Sequence, residues 1–152
     1  MQNPFFLDWA AQSIRRDGTI RLPFGSGRTS PIDTLDVAEV IAATLASPAA
    51  HVGKVYELTG PVSQDLHGLA AEYAAALGRP VAYVGVPLER WRDEELRKLG
   101  LPEHVYGHLL TMAKLHAAGR YDRLTQDVEA ILRRPATSAR EFVARHAASF
   151  VP

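Results

Sequence analysis

The sequence predicts an α/β fold, helix-rich with few strands, and three observations predict it. Short β-like runs at residues 19–22, 55–59 and 81–84 are separated by stretches whose apolar residues recur at helical spacing. Glycine or proline punctuates nearly every junction. A chain of 152 residues, 47% hydrophobic and 22% charged, is long enough for one domain with a real core. We expect a single domain over residues 1–152, mixed helix and strand over 1–86 and helical over 87–152.

The first helix spans residues 4–16. Pro4 is tolerated in the first turn, Phe6, Leu7, Ala10, Ala11 and Ile14 share one side, and Asp17-Gly18 forms the exit. Thr19, Ile20, Arg21 and Leu22 alternate as a strand, which Pro23 stops because it has no N–H to donate. Gly25 and Gly27 turn the chain, and Pro31 holds Ser30 extended. Thr34 and Asp36 then offer side-chain oxygens to the free N–H groups of a helix starting near Val37. Its stripe of Val37, Val40, Ile41, Thr44 and Leu45 predicts one buried face, with Val37 and Ile41 in the core.

Ser47-Pro48 ends that helix, and the run at 55–59 is closed by Gly60-Pro61. Ser63 caps the next helix, striped by Leu66, Leu69, Ala70, Tyr73 and Leu77 and ended by Gly78. After the strand at 81–84 the chain turns helical. Residues 88–99 are amphipathic and charged, and Gly100 ends them. Pro102 opens a helix that carries Val105, Leu109, Met112, Ala113 and His116 on one face. A shorter helix at 126–133 is broken by Pro135. The last opens on a capping box between Ser138 and Glu141 and turns Phe142, Val143, His146 and Ala147 inward.

Seventeen basic and seventeen acidic residues balance, so no field gathers nucleic acid or an anionic membrane. The absence of cysteine removes disulfides, thiolate catalysis and thiolate zinc sites, and suits a reducing compartment; we expect the cytoplasm. The first residues lack the basic start and continuous apolar core of a signal peptide. No run approaches membrane-spanning length.

A family resemblance runs through the chain. Leu22-Pro23-x-Gly25-x-Gly27-Arg28, followed by Ile32-Asp33-x-x-Asp36-Val37-Ala38, resembles the middle of NmrA-like proteins, the atypical short-chain dehydrogenase/reductases. Met1-Gln2-Asn3 with Phe5-Phe6 is similar to that family's Phe-Met-x-Asn segment. Tyr56-Glu57-Leu58-Thr59-Gly60-Pro61 is similar to its next strand and turn, and Gly78-Arg79-Pro80-Val81 to the following helix exit. One departure is Arg133-Arg134-Pro135, where the family pattern implies Gly-Arg-Pro. Nothing like Gly-x-x-Gly-x-x-Gly after a hydrophobic strand occurs, so the chain resembles only the C-terminal, substrate-side half of the family.

The resemblance implies the substrate side of an NAD(P)H-dependent oxidoreductase or redox sensor, incomplete as an enzyme on its own. NADP or NAD is the cofactor by resemblance alone, with weak or no binding expected of this chain. It also implies that Asn3 borders the nicotinamide and substrate end of a cleft; read from the residues alone, Asn3 before Pro4 is an ordinary helix cap. Phe5, Phe6 and Trp9 read either as an apolar wall for a flat aromatic or quinone-like ligand or as core. A stand-alone ligand-binding or dimerising module without catalysis is the alternative. Because a half-fold leaves strand edges and apolar faces open, we expect a homo-oligomer, most simply a dimer.

Other candidates have plainer readings. The Phe24-Gly25-Ser26-Gly27-Arg28 loop tempts a phosphate assignment, but Thr29-Ser30-Pro31 intervenes before any helix, so a turn is favoured. Asp33 and Asp36, three apart at a helix entry, read as capping residues rather than as an acid–base pair. His104 and His108 share a helical face, yet no carboxylate clusters with them as a metal site needs. The Tyr-x-x-x-Lys pair of ordinary short-chain dehydrogenases is absent, and Ser26 stands in a turn rather than a nucleophile elbow.

Overall fold

The computed structural model describes residues 5–150, with side chains described from residue 11 onward. Asn3 lies outside the described residues, and so do the side chains of Phe5, Phe6 and Trp9. The elements in order are α1 (Phe5–Asp17), β1 (Thr19–Leu22), α2 (Thr34–Ala46), a 3-10 turn (Pro48–Ala50), α3 (Leu66–Leu77) and β2 (Ala82–Gly85). A continuous helical stretch follows, α4 (Leu88–Trp91) loosening into a π-turn (Arg92–Leu96) and tightening into a 3-10 turn (Arg97–Leu99). Then come α5 (Glu103–Ala117), α6 (Asp127–Leu132), α7 (Ala139–Arg145) and a last 3-10 turn (Ala147–Phe150).

β1 and β2 pair in parallel, Thr19 opposite Ala82 and Leu22 opposite Gly85. A parallel pair needs a long crossover, and α2 and α3 lie within it. Along β1 the pleat buries Ile20 and Leu22 on one face. Arg21, turned to the other, meets Glu95 of the 88–99 stretch at 3.1 Å. The terminal turn packs on both α1 and α3. It is held there by Arg79, which donates to the Phe150 carbonyl at 2.7 Å and to the Ile14 carbonyl at 3.0 Å. Tyr73 meets the Phe150 ring edge-on at 5.3 Å, completing the larger core of Ile14, Ile20, Leu69, Leu96 and Val143. A second, smaller core joins Ile32 and Val40 to Val128 and Ala136.

Several local expectations are corrected. Residues 55–59 form no strand, because among the described residues no strand lies beside them. Their groups are taken by a loop instead: Glu57 N–H donates to Asp127 at 2.7 Å, and Thr125 donates to the Glu57 carbonyl. Helix α2 begins at Thr34 with Asp33 as its cap, accepting from Leu35 N–H at 2.9 Å, rather than near Val37 with Thr34 and Asp36 capping. Asp65, not Ser63, caps α3, accepting from Gly68 N–H at 2.9 Å. His146 is exposed, since α7 ends just before it. Ile41 is not core: it is 52% exposed and Leu45 72%, while Asp36 is 0% exposed. The helix is apolar on nearly every side, so its stripe gave no unique inward face. The capping box at Ser138 forms as expected, Ser138 N–H donating to Glu141 at 2.8 Å and Glu141 N–H to Ser138 Oγ at 3.2 Å.

Candidate functional site

A cleft of about 450 Å³, within the range of small-ligand sites, opens beside β1 between α1 and the 88–99 stretch. Its floor is β1 itself, Ile20 to Leu22. One wall carries Gln12, Ser13 and Arg16, and the other Trp91, Leu96 and Leu99. Trp91 and Leu96 are buried. The rim is charged but largely self-neutralised, Arg16 on Asp17 at 3.0 Å and Glu94 on Arg90 at 2.8 Å. The sequence reading passed over these wall residues. The available signal was Trp91, Leu96 and Leu99 as an apolar seam in an otherwise charged run.

Of the expected ligand residues, Phe5, Phe6 and Trp9 belong to the same helix. α1 meets β1 through Gly18 alone, so helix and strand run antiparallel and in contact. Thirteen helical residues span about 20 Å, against about 13 Å for a four-residue strand. α1 is therefore the longer of the two elements, and its contribution to the cleft, Gln12, Ser13 and Arg16, comes from its second half. Phe5, Phe6 and Trp9 lie in the first half of α1 by sequence position.

The glycine loop does not fit a dinucleotide phosphate. Gly27 N–H closes a turn on the Phe24 carbonyl at 2.9 Å. A Cβ on Gly27 would lie 2.0 Å from the His116 carbonyl oxygen, so the loop backs onto the end of α5. Arg28 is engaged by the Ser63 carbonyl and by Asp122 at 3.7 Å. Residues 23–33 separate β1 from α2, so no glycine loop leads directly from that strand into a helix N-terminus.

The remaining candidates are structural ties. Asp33 pairs with Arg145 besides capping α2. Asp36 accepts from Thr137 N–H at 2.6 Å, Thr137 Oγ1 at 3.0 Å and Arg134 at 2.8 Å. His104 and His108 are exposed on α5, and among the described residues no group of three or more metal-ligating side chains gathers. His116 is 2% exposed and stacks flat on Phe24 at 4.2 Å, with Tyr121 also at 4.2 Å; burial pulls its imidazole down to about 4. Tyr83 donates to the Leu22 carbonyl at 2.9 Å, and burial pushes its phenol up. No helix among the described residues is long and apolar enough to cross a membrane.

No protein-family profile matches the chain. It is 36% identical over 143 residues to the NAD(P)H azoreductase of Xenophilus azovorans, covering 92% of this chain and 48% of that protein. In structure it is similar to an NADPH-dependent quinone oxidoreductase from Escherichia coli, with a TM-score of 0.81 and 24% identity over 97% of this chain and 52% of that one. It is also similar to a Citrobacter sp. triphenylmethane reductase complexed with NADP(H), with a TM-score of 0.80 and 19% identity over 97% and 50%. These likenesses to solved structures establish the fold. The chain spans about half the length of the curated relatives it matches.

Proposed function

From the correspondence of this chain to the C-terminal half of an NmrA-like NAD(P)-binding protein, we propose that it supplies the substrate side of an NAD(P)H-dependent oxidoreductase or redox sensor. The observation that carries this reading is the 36% identity to an NAD(P)H azoreductase across 92% of the chain. The dinucleotide phosphates belong to another stretch of polypeptide, since the Gly25–Gly27 turn is pressed on α5 and Arg28 is already paired. The substrate is a flat aromatic or quinone-like molecule, received at the start of α1, with Asn3, Phe5, Phe6 and Trp9 as its contacts. The family likeness supports NADP or NAD as the hydride carrier. Balanced charge supports a small-molecule partner rather than nucleic acid, and the lack of cysteine a cytoplasmic setting.

Two measurements test it. NADPH titrated calorimetrically into the 152-residue chain is expected to bind with a dissociation constant of roughly 1 mM or weaker; roughly 10 μM or tighter would place the dinucleotide site within these residues. The natural gene product, its intact mass determined, is expected to be longer and to oxidise NADPH with a quinone or azo dye. A native product of 16.6 kDa with neither binding nor turnover would overturn the oxidoreductase reading in favour of a non-catalytic module.

A further inference from the structure

Residues 118–126 leave α5 and cross to α6 without joining a sheet. Their backbone hydrogen bonds are local: Arg120 N–H returns to the Leu115 carbonyl at 3.0 Å, Asp122 N–H to that of Gly119 at 3.2 Å and Arg123 N–H to that of Tyr121 at 2.9 Å. Beyond α5 and α6, the described hydrogen bonds that tie this strap to the fold all have a side chain at one end at least. Ser30 Oγ donates to the Arg123 carbonyl at 2.5 Å, and Ser63 Oγ to Asp122 at 2.5 Å. Thr125 N–H donates to Thr59 Oγ1 at 3.1 Å, and Arg123 to Glu57 at 2.8 Å. The seats at Ser30 and Thr59 are buried. A segment held by side chains parts from its seat without breaking a backbone ladder, which is the condition for local opening.

The strap begins on a stack of rings. His116, near the end of α5, lies on Phe24 of the loop after β1 at 4.2 Å with the planes 1° apart, and on Tyr121 of the strap at 4.2 Å. Gly27 is pressed on the same corner, where a Cβ would lie 2.0 Å from the His116 carbonyl oxygen. At 2% exposure the ring fits this seat as a neutral group, because a protonated imidazole there would give up its hydration. Among the described residues, the titratable and charged groups flanking it are the stacked Tyr121 phenol and Arg28 and Asp122, which follow Gly27 and Tyr121 and meet each other at 3.7 Å. Lys114 and Arg120, on α5 and at its exit, are exposed. We propose that His116 is an acid-sensitive latch on this strap: protonation of the ring parts Tyr121 from the Phe24 platform, and residues 118–126 open as a local unit while the β1–β2 ladder stays closed. Opening bares Ser30 and Thr59. The latch does not depend on the function proposed above, since it involves no hydride transfer.

Native-state amide exchange of the 152-residue chain, followed by NMR and expressed as protection factors, tests it. Burial holds the ring's pKa at about 4 with the strap closed, against its ordinary 6.5 with the strap open, so the open state gains weight roughly thirtyfold between pH 7.5 and pH 5.0. Thr125 N–H is expected to lose protection by that factor. Its exchange is expected to be insensitive to low urea, whereas Val84 N–H, in the ladder, is released by urea-dependent global unfolding. Thr125 exchange as urea-dependent as that of Val84 would show that no separate opening exists and overturn the proposal. So would unchanged Thr125 protection across that pH range. His116→Phe, which keeps a ring in the stack and removes its titration, is expected to hold Thr125 protection constant within roughly threefold. The full wild-type loss in that variant would assign the acid response to other groups and overturn the latch. Should the variant not fold, the wild-type chain decides alone: its His116 ring resonances are expected to remain those of the neutral imidazole at pH 5.0, and an imidazolium signal there with Thr125 still protected would refute the latch.

Discussion

A fully buried carboxylate persists only when its oxygens are engaged, and Asp36 meets that condition through the Thr137 backbone and hydroxyl and the Arg134 guanidinium. Removing it leaves the Thr137 N–H unmatched, a loss of about 1–3 kcal/mol, beside the weakened hold on a guanidinium that water still reaches. Ile41, half exposed, gives up little apolar contact. Asp36→Ala is therefore expected to lower unfolding free energy by about 2–3 kcal/mol and Ile41→Ala by less than about 1 kcal/mol, as read by urea denaturation. This reverses the order that the apolar stripe suggests, and equal losses would count against the buried tie. Arg133 carries a second prediction. It is the one described non-glycine residue with positive φ, +57°, and it ends α6 in the left-handed cap that glycine favours. Its side chain is exposed, so Arg133→Gly relieves strain at little cost in contacts and is expected to raise stability by roughly 1 kcal/mol; a lower melting temperature would refute that.

At the scale of elements, docking of α5 against the loop after β1 depends on a neutral imidazole. His116 is sandwiched by Phe24 and Tyr121, and burial lowers its pKa from 6.5 to about 4. Its proton is thus bound more readily by the unfolded chain. The stability linked to the neutral ring is fully present above pH 6.5 and is lost as pH falls from there through about 4, a total of roughly 3 kcal/mol. Denaturant midpoints at pH 7.5 and 4.5 are expected to fall further apart in the native chain than in His116→Phe; an unchanged gap would show that His116 does not titrate in this window. Elements set by local chemistry were legible in the sequence. The strands at 19–22 and near 81–84, the left-handed exit at Gly78 and the Ser138 capping box depend on residues within a few positions of one another. The strand at 55–59 failed because pairing requires a distant partner, and the seat of Asp36 lies 98 and 101 residues away in Arg134 and Thr137. The cleft was illegible for the same reason, being assembled from residues 12–16, 20–22 and 91–99.

For the whole molecule the decisive feature is the outer side of α2. Leu35, Ala38, Ile41, Ala42 and Leu45 all face solvent, while Glu39 at the margin is paired with Arg134. A helix apolar on every side is ordinarily covered. Val52, 79% exposed, and Val55, 95% exposed, follow shortly after the helix. A face without charge meets its own copy with no like-charge repulsion, and two-fold pairing closes the contact without growing a chain of copies. Homo-oligomerisation is accordingly expected through α2. Sedimentation equilibrium at about 100 μM, where exposed apolar patches drive association, is expected to give a mass well above the 16.6 kDa of one chain. The double change Ile41→Glu and Leu45→Glu, both on exposed positions and harmless to the core, is expected to return it to one chain. A wild-type chain that sediments at 16.6 kDa and melts cooperatively would show that this apolar face is tolerated in water, and the expectation of a homo-oligomer would fall with it.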